Sequence, residues 1–224
     1  MKFFKKIICT MLVLLVCLLI TTLSNFVGTE PELLLKVNAA NKLAETGQCG
    51  DNVYWNFNST TGELVISGTG SMWDYSPIND SPFTADKNIK RVIINSDITT
   101  IGDFIFLFCH SIETVTIPNT ITSIGEASFS NCSKISNIKI PDSVIVIGES
   151  AFEKCSSITN INIPSNVETI ESNAFFDCTK LTSFDVAQTN HYYSNDDHGV
   201  LFNKAKTTLI QYPEGNPITH YELP

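Results

Sequence analysis

The sequence predicts a β-rich solenoid of 23-residue coils, each with a short parallel strand and a helical or 3-10 turn, capped by hairpins at both ends. Three observations predict it. Cys109, Cys132, Cys155 and Cys178 are each separated from the next by 23 residues. Blocks of 23 laid out from Ile89 align Val92, Val115, Ile138, Ile161 and Phe184 in the fourth column, and Ile94, Ile117, Ile140, Ile163 and Val186 in the sixth. The same layout aligns Phe106, Phe129, Phe152 and Phe175. A fixed period of this length marks stacked units, none of which can bury its apolar face alone. A stack of coils displays surface and seldom encloses a pocket, so the period points to an architecture first and to a function only by class.

Residues 1–39 read as a secretory signal peptide: Lys2, Lys5 and Lys6 precede an uncharged apolar run from Ile7 to about Leu23. Val37-Asn38-Ala39 before Ala40 has the small-residue form of a cleavage site, with cleavage nearer Ser24 as the alternative. The run sits at the lower limit for spanning a bilayer, which leaves an uncleaved anchor as a second reading. The expectation is a secreted or cell-surface protein that meets the membrane only in transit. Residues 40–47 read as a flexible leader. The whole chain carries a net charge of −9; removing residues 1–39 takes away four Lys and two Glu, leaving 10 basic and 21 acidic residues and a net −11. Such a surface disfavours nucleic acid, whose binding relies on Lys and Arg displacing counterions, and it supports solubility outside the cell.

Residues 48–86 read as an N-terminal β-hairpin cap module. Val53, Trp55 and Phe57 alternate with Tyr54 and Asn56, and Leu64 and Ile66 follow the turn Ser59-Thr60-Thr61-Gly62. The first coil of a solenoid has an open apolar end, which this hairpin is placed to cover. Residues 87–180 are four repeats. In each, positions 4 and 6 face inward and position 5 outward, and Pro118, Pro141 and Pro164 end the strand because they lack an N–H. A second apolar pair at positions 10 and 13 leads to Gly102, Gly125 and Gly148, expected to turn with positive φ. The stretch before each Phe and Cys is long enough for one helical turn. Each coil is expected to add one parallel strand to a single growing sheet. Residues 181–224 read as an irregular capping repeat: Asn190 and Tyr193 replace the apolar pair, and Val200–Phe202 and Thr208–Ile210 flank a hairpin. Tyr221-Glu222-Leu223-Pro224 starts a further repeat.

Five cysteines remain after Cys9 and Cys17 leave with the signal. The simplest reading of the ladder is a core column of buried thiols, since free Cys is among the most buried residue types. Bridges between coils also fit the ~4.8 Å spacing of parallel strands, whereas zinc ligands come in close pairs that are absent here. His191, Asp196, Asp197 and His198 fall within eight residues and fit either a metal site or a solvated loop. His110 beside Cys109 would form a nucleophile only if the thiol were exposed and polarised. No Gly-x-Ser-x-Gly elbow or phosphate-binding glycine spacing occurs. The sequence therefore predicts no enzyme, no cofactor and no metal. Asn58-Ser59-Thr60 and Asn131-Cys132-Ser133 are glycosylation acceptors that matter only in a eukaryotic host.

The outward strand positions are the candidate binding residues: Arg91, Thr114, Thr116, Asn137, Lys139, Asn160 and Asn162. Small polar side chains in register form a smooth face able to hydrogen-bond an extracellular protein or glycan. The same residues also serve simply to keep a sheet soluble and its edges unpaired. No aromatic or arginine anchor marks this face, so modest or multivalent affinity is expected.

The repeats resemble the BspA-like leucine-rich repeat family of secreted and surface proteins. The matching residues are Ile112-x-x-Val115-x-Ile117-Pro118-x-x-Ile121-x-x-Ile124-Gly125-x-x-x-Phe129-x-x-Cys132 and their copies across 89–187. The stretch 197–204 is similar to the irregular unit that interrupts such arrays. Cys49-Gly50-Asp51-Asn52, Trp55, Ser67-Gly68-Thr69-Gly70 and Trp73-Asp74-Tyr75 are similar to a module that precedes them in bacteria. The resemblance implies a cell-envelope or secreted protein that binds other molecules, in some members host matrix proteins, and it implies no catalytic residues. Asn95 in place of the first proline and Glu171 in place of the fourth glycine depart from the pattern and predict locally irregular coils. The function expected is an adhesion-type interaction module, the alternative a structural spacer within a longer surface protein.

Overall fold

The computed structural model describes residues 45–77, 81–84, 88–218 and 220–223, which belong to a compact unit running from Leu43. The predicted signal peptide lies outside the described residues. Strands β1 (Glu45–Gly50), β2 (Val53–Asn58) and β3 (Glu63–Gly68) form an antiparallel ribbon. The coils then supply β4 (Gly70–Ser71), β5 (Arg91–Ile94), β6 (Ile98–Ile101), β7 (Thr114–Thr116), β8 (Ser123–Ile124) and β9 (Val146–Ile147). They continue with β10 (Asn160–Ile163), β11 (Thr169–Ile170) and β12 (Ser183–Val186). A last antiparallel sheet joins β13 (Tyr193–Asn195), β14 (Leu201–Asn203) and β15 (Leu209–Gln211). The hairpin of β2 and β3 follows the predicted alternation. Residues 45–47, expected in a flexible leader, instead belong to β1, which the polar run Glu45–Gln48 joins by pairing with the strongly β-forming β2.

Each coil has three hydrogen-bonded sides. On the first, β3, β5 and β7 pair in parallel, with Leu64, Val92 and Val115 at corresponding positions, and β10 pairs with β12 so that Ile161 meets Phe184. Residues 137–140 between these groups form no assigned strand, yet Ile138 and Ile140 are buried in the same columns. The proline carbonyl then closes a turn, accepting from Ile121, Val144 and Val167 in successive coils. The second side was not foreseen. Positions 10 to 13 form a second parallel sheet in the order β11-β9-β8-β6-β4, so a coil contributes two strands to two sheets rather than one strand to one. The apolar pair at positions 10 and 13 gives no strand signal because no run there is longer than four residues.

The third side replaces the predicted helical turns, and no helix forms among the described residues. The N–H groups of Phe104, Phe106 and Phe108 donate to the carbonyls of Glu126, Ser128 and Ser130 in the following coil at 2.8 to 3.0 Å. Ala127, Phe129 and Asn131 do the same to Glu149, Ala151 and Glu153. A helix would spend these groups within its own turn; here they are spent between coils. The geometry requires left-handed backbone at positions 16 and 20 of every coil: Phe104, Ala127, Ser150 and Asn173, and Phe108, Asn131, Lys154 and Asp177, have φ between 46° and 62°. A non-glycine residue in this region costs about 1–2 kcal/mol, so the ladder of inter-coil hydrogen bonds holds the strain in place.

Gly102, Gly125 and Gly148, by contrast, are not in the left-handed region, which corrects the expected reason for them. Their reason is close approach: a Cβ on Gly148 would lie 2.8 Å from both the Glu126 amide nitrogen and the Gly125 carbonyl carbon of the preceding coil. Neither predicted irregularity disrupts the stack. The Asn95 N–H, which a proline would lack, adds a ladder bond to the Ile66 carbonyl at 3.0 Å, and the Glu171 N–H reaches Ile147 as Gly148 reaches Ile124.

Inside, Phe83, Phe106, Phe129, Phe152 and Phe175 stack with centroids 5.2 to 5.6 Å apart and planes within 19°. Trp55 stands edge-on to the first ring and Phe184 to the last, at 74° and 69°. Such offset and edge-on pairs contribute about 0.5–1.5 kcal/mol each beyond area burial. Beside them, Cys109, Cys132, Cys155 and Cys178 are buried thiols, and each donates to the carbonyl of Phe83, Phe106, Phe129 or Phe152 at 3.1 to 3.3 Å. In the fifth coil Asn190 is fully buried in place of an apolar side chain. Its amide donates to Pro164 and Val167 and accepts from Tyr192 and Tyr193, so all four hydrogen-bonding sites are used.

Phe129→Ala removes the middle ring of the stack and is expected to destabilise the chain by about 3–5 kcal/mol in chemical denaturation; a loss under about 1 kcal/mol would mean the column is not close-packed. Lys154→Gly is expected to be more stable than Lys154→Val by about 1–2 kcal/mol, because only the β-branched side chain opposes the left-handed backbone there. Equal stabilities would remove the claim of strain at that position.

Candidate functional site

The strand pleat decides which side chains leave the core. Arg91, Thr114, Thr116, Asn137, Lys139, Asn160 and Asn162 are all exposed, on the outer surface of the first side of the coils. Arg91 is in register with Thr114, and Asn160 and Asn162 with Ser183 and Asp185. The residues of this row bond to one another. Asn160 Nδ2 donates to Ser183 Oγ at 3.1 Å, Asn162 Nδ2 to Asp185 Oδ2 at 3.5 Å, and Arg91 lies 3.5 Å from Glu63.

The face is longer than the sequence reading made it. Register carries Glu63 to Arg91 and Val65 to Ile93, so the hairpin extends the same surface. Gln48, Tyr54 and Ser67 pair across β1, β2 and β3, as do Thr46, Asn56 and Val65. Tyr54, with 51% of its surface exposed, is therefore an aromatic side chain in line with the polar row, where none was expected. The signal was present in its alternation with Val53 and Trp55, but only the parallel pairing of β3 with β5 joins the hairpin to the coils. A shallow depression of about 480 Å³ surrounds Tyr54, and another of about 480 Å³ lies at the far end, lined by Asp185, Gln188, Ser194, Lys204 and Lys206.

The candidate chemistry elsewhere is spent on structure. Cys109 is fully buried and hydrogen-bonded, so His110 has no exposed thiol partner in it. Burial pushes the thiols of Cys49 and Cys178 up to about 12 and that of Cys155 well above its usual value, which keeps them protonated and unreactive. Asp196 accepts from the backbone of His198 and Val200 and from the Tyr221 hydroxyl at 2.6 Å. Burial works to raise its carboxyl, but these donors hold it below its ordinary value. Among the described residues no group of three or more His, Cys, Asp or Glu is arranged to hold a metal ion, and no helix is long and apolar enough to cross a membrane.

At the corner after the second sheet, carboxylates form a column. Asp74 Oδ1 accepts the Asp103 N–H at 3.0 Å, Asp103 Oδ1 the Glu126 N–H at 2.7 Å, and Glu171 Oε2 the Glu149 N–H at 3.0 Å. Burial, then Asp74 and Glu171, raise the Asp103 carboxyl against its hydrogen bond from Glu126; burial, then Asp103, Glu149 and Glu171, raise Glu126.

Stacked coils with two parallel sheets define a repeat scaffold of the leucine-rich type. The chain belongs to the BspA-type leucine-rich repeat family: six copies of the BspA type leucine rich repeat region match residues 76–196. A leucine-rich repeat protein from Eubacterium ventriosum is similar at 29% identity, with a TM-score of 0.66 over 81% of this chain and 54% of that one. The pneumococcal vaccine antigen PcpA shares the fold at 20% identity, with a TM-score of 0.52 over 82% of this chain and 60% of that one. The chain thus spans about half the length of the first and three-fifths of the second. No curated protein matches it.

Because the folded pKa values of Asp103 and Glu126 are raised, their unfavourable ionisation costs stability at neutral pH and is relieved as pH falls through them. Asp196 and Glu153 have lowered values, and their contribution is lost only on further acidification, below the ordinary carboxylate range. The denaturation midpoint is therefore expected to rise as pH falls from neutral to the ordinary carboxylate range, and to fall below it. Asp103→Asn keeps an acceptor for Glu126 and should flatten that rise; a midpoint that falls steadily from pH 7 would contradict the assignment.

Proposed function

We propose that this chain is an exported interaction module of the bacterial cell surface, holding an extracellular protein or glycan against the outer face of its first sheet. Residues 1–39 act as its export signal, the Trp55 hairpin closes one end of the stack, and the Asn190–Gln211 unit closes the other. The single observation that carries the reading is the polar row in which Arg91, Thr114, Thr116, Asn137, Lys139, Asn160 and Asn162 stand exposed on one side of stacked coils. Regular spacing suits a repetitive or extended partner, and small side chains lose little conformational freedom on contact. Membership of a leucine-rich repeat family supports a binding rather than a catalytic role, and neither solved neighbour is named as an enzyme.

One observation favours a second reading, a spacer with no binding of its own. Asn160, Asn162 and Arg91 already contact Ser183, Asp185 and Glu63, which leaves part of the face satisfied without a partner. Exposed pairs of this kind are weak, at about 0–1 kcal/mol, and yield readily to a better acceptor.

Surface plasmon resonance of the exported chain against immobilised fibronectin, laminin and collagen separates the readings. The interaction module gives saturable binding, weakened by about tenfold or more when Asn137, Lys139 and Asn162 are changed together to Ala. Saturable binding untouched by that triple change would move the site off this face, and no binding to any of the panel would support the spacer.

A further inference from the structure

Resting on that reading, we propose that the depression around Tyr54 is a subsite for one neutral sugar ring of an extracellular glycan. Five side chains converge there through the pleat alone. Thr46 and Gln48 come from β1, Tyr54 and Asn56 from β2 and Ser67 from β3, all on the outward side of neighbouring strands. The depression holds about 480 Å³, within the range of small-molecule sites. It is shallow, which fits one ring of a chain rather than an enclosed ligand.

The chemistry of the lining selects the occupant. Tyr54 offers a half-exposed aromatic face with a polar tip, the combination that stacks on the C–H side of a pyranose while bonding its hydroxyls. Around it stand only hydroxyls and amides, and no lining residue is charged. An anionic sugar would find no cation to pair with, on a chain whose net charge is −9. A peptide would be held by a deeper apolar anchor pocket, which the site lacks.

Two features fix the site before any ligand arrives. Gln48 Nε2 donates to the Asp51 carbonyl at 2.8 Å, which orients the amide and turns Oε1 into a positioned acceptor. Trp55, which also lines the depression, lies against Gly47, where any Cβ would come within 2.7 Å of its indole, and edge-on to Phe83. Its indole N–H is shielded from solvent and has no hydrogen-bond partner among the described residues. A single open site of this kind binds weakly, and useful strength comes from many copies engaging one glycan.

The test uses the full exported chain with three immobilised probes, triacetylchitotriose, cellotriose and sialyllactose, read by biolayer interferometry. The subsite predicts retention of a neutral trisaccharide and rejection of sialyllactose. Tyr54→Ala should weaken retention by about tenfold or more, as loss of an aromatic anchor does, while Tyr54→Phe keeps it within about threefold. Tyr192→Ala, which removes an exposed aromatic elsewhere, should change nothing. Rejection of both neutral probes, preference for sialyllactose, or unchanged retention by Tyr54→Ala overturns the inference. The matrix-protein panel run on the same samples keeps the two ideas apart: matrix binding that survives in a chain without sugar binding sinks the subsite alone, whereas the absence of both matrix and sugar binding sinks the broader reading with it.

Discussion

Register between successive coils is the constraint on which the rest of the molecule depends. Each coil is too small to own a core, so every buried side chain is buried by its neighbours. The Phe column, the thiol column and the Val/Ile columns stay continuous only if each coil repeats the rise and phase of the one before. Three hydrogen-bonded sides enforce that phase, and they do not run the same way. On the parallel sheets bonds run both ways, with Gly148 donating back to Ile124 and Gly70 forward to Asp97, whereas on the turn side the earlier coil donates to the later, as Phe129 does to Ala151. The thiols add a fourth thread, with Cys155 reaching back to the Phe129 carbonyl. The reduced state of the cysteines follows from this role: a thiol that donates to the previous coil does its work unoxidised and out of reach.

The same register that builds the core writes the surface. Once strands stack in phase, position 3 and position 5 side chains fall into rows, and whatever residue types occupy those columns become stripes on the molecule. On one side this yields a mostly polar face from Thr46 to Asp185, on which charges of both signs, Glu63, Arg91, Lys139 and Asp185, are interspersed. On another it concentrates Asp74, Asp103, Glu126, Glu149 and Glu171 into a column, in which burial and the neighbouring carboxylates raise the pKa values of Asp103 and Glu126. The acidic column accounts for part of the excess negative charge and places it away from the polar face. Polyanions are thereby disfavoured, while neutral partners meet a surface of hydroxyls and amides.

Much of this was legible in the sequence, and the gaps have physical reasons. Long-period columns of Ile, Val, Phe and Cys are visible because each buried position tolerates few residue types, so Val92 to Phe184 and Phe106 to Phe175 read directly as inward-facing. The second sheet was missed because strands as short as Ser123–Ile124 leave no alternation to count. The helical turns were expected because a six-residue segment without Gly or Pro satisfies its own hydrogen bonds most simply as a helix; the backbone instead satisfies them between coils, a choice that no local residue records. Left-handed φ at Asn131, Asn173 and Asp177 was within reach, since Asn and Asp favour it, but Phe104, Lys154 and Ser150 give no such hint. The outward placement of the seven polar positions was legible from the period alone, whereas that of Tyr54 on the same face was not, because nothing short of the β3–β5 pairing joins the hairpin to it.

The most direct measurement of this account is amide hydrogen exchange followed residue by residue in the native chain. If inter-coil hydrogen bonds on the turn side hold the register, the amides of Phe106, Phe129 and Phe152 exchange only with global unfolding, as slowly as those of Val92 and Ile161 in the strands. Exchange of those three phenylalanine amides at the rate of solvent-exposed turns, while the strands stay protected, would contradict it.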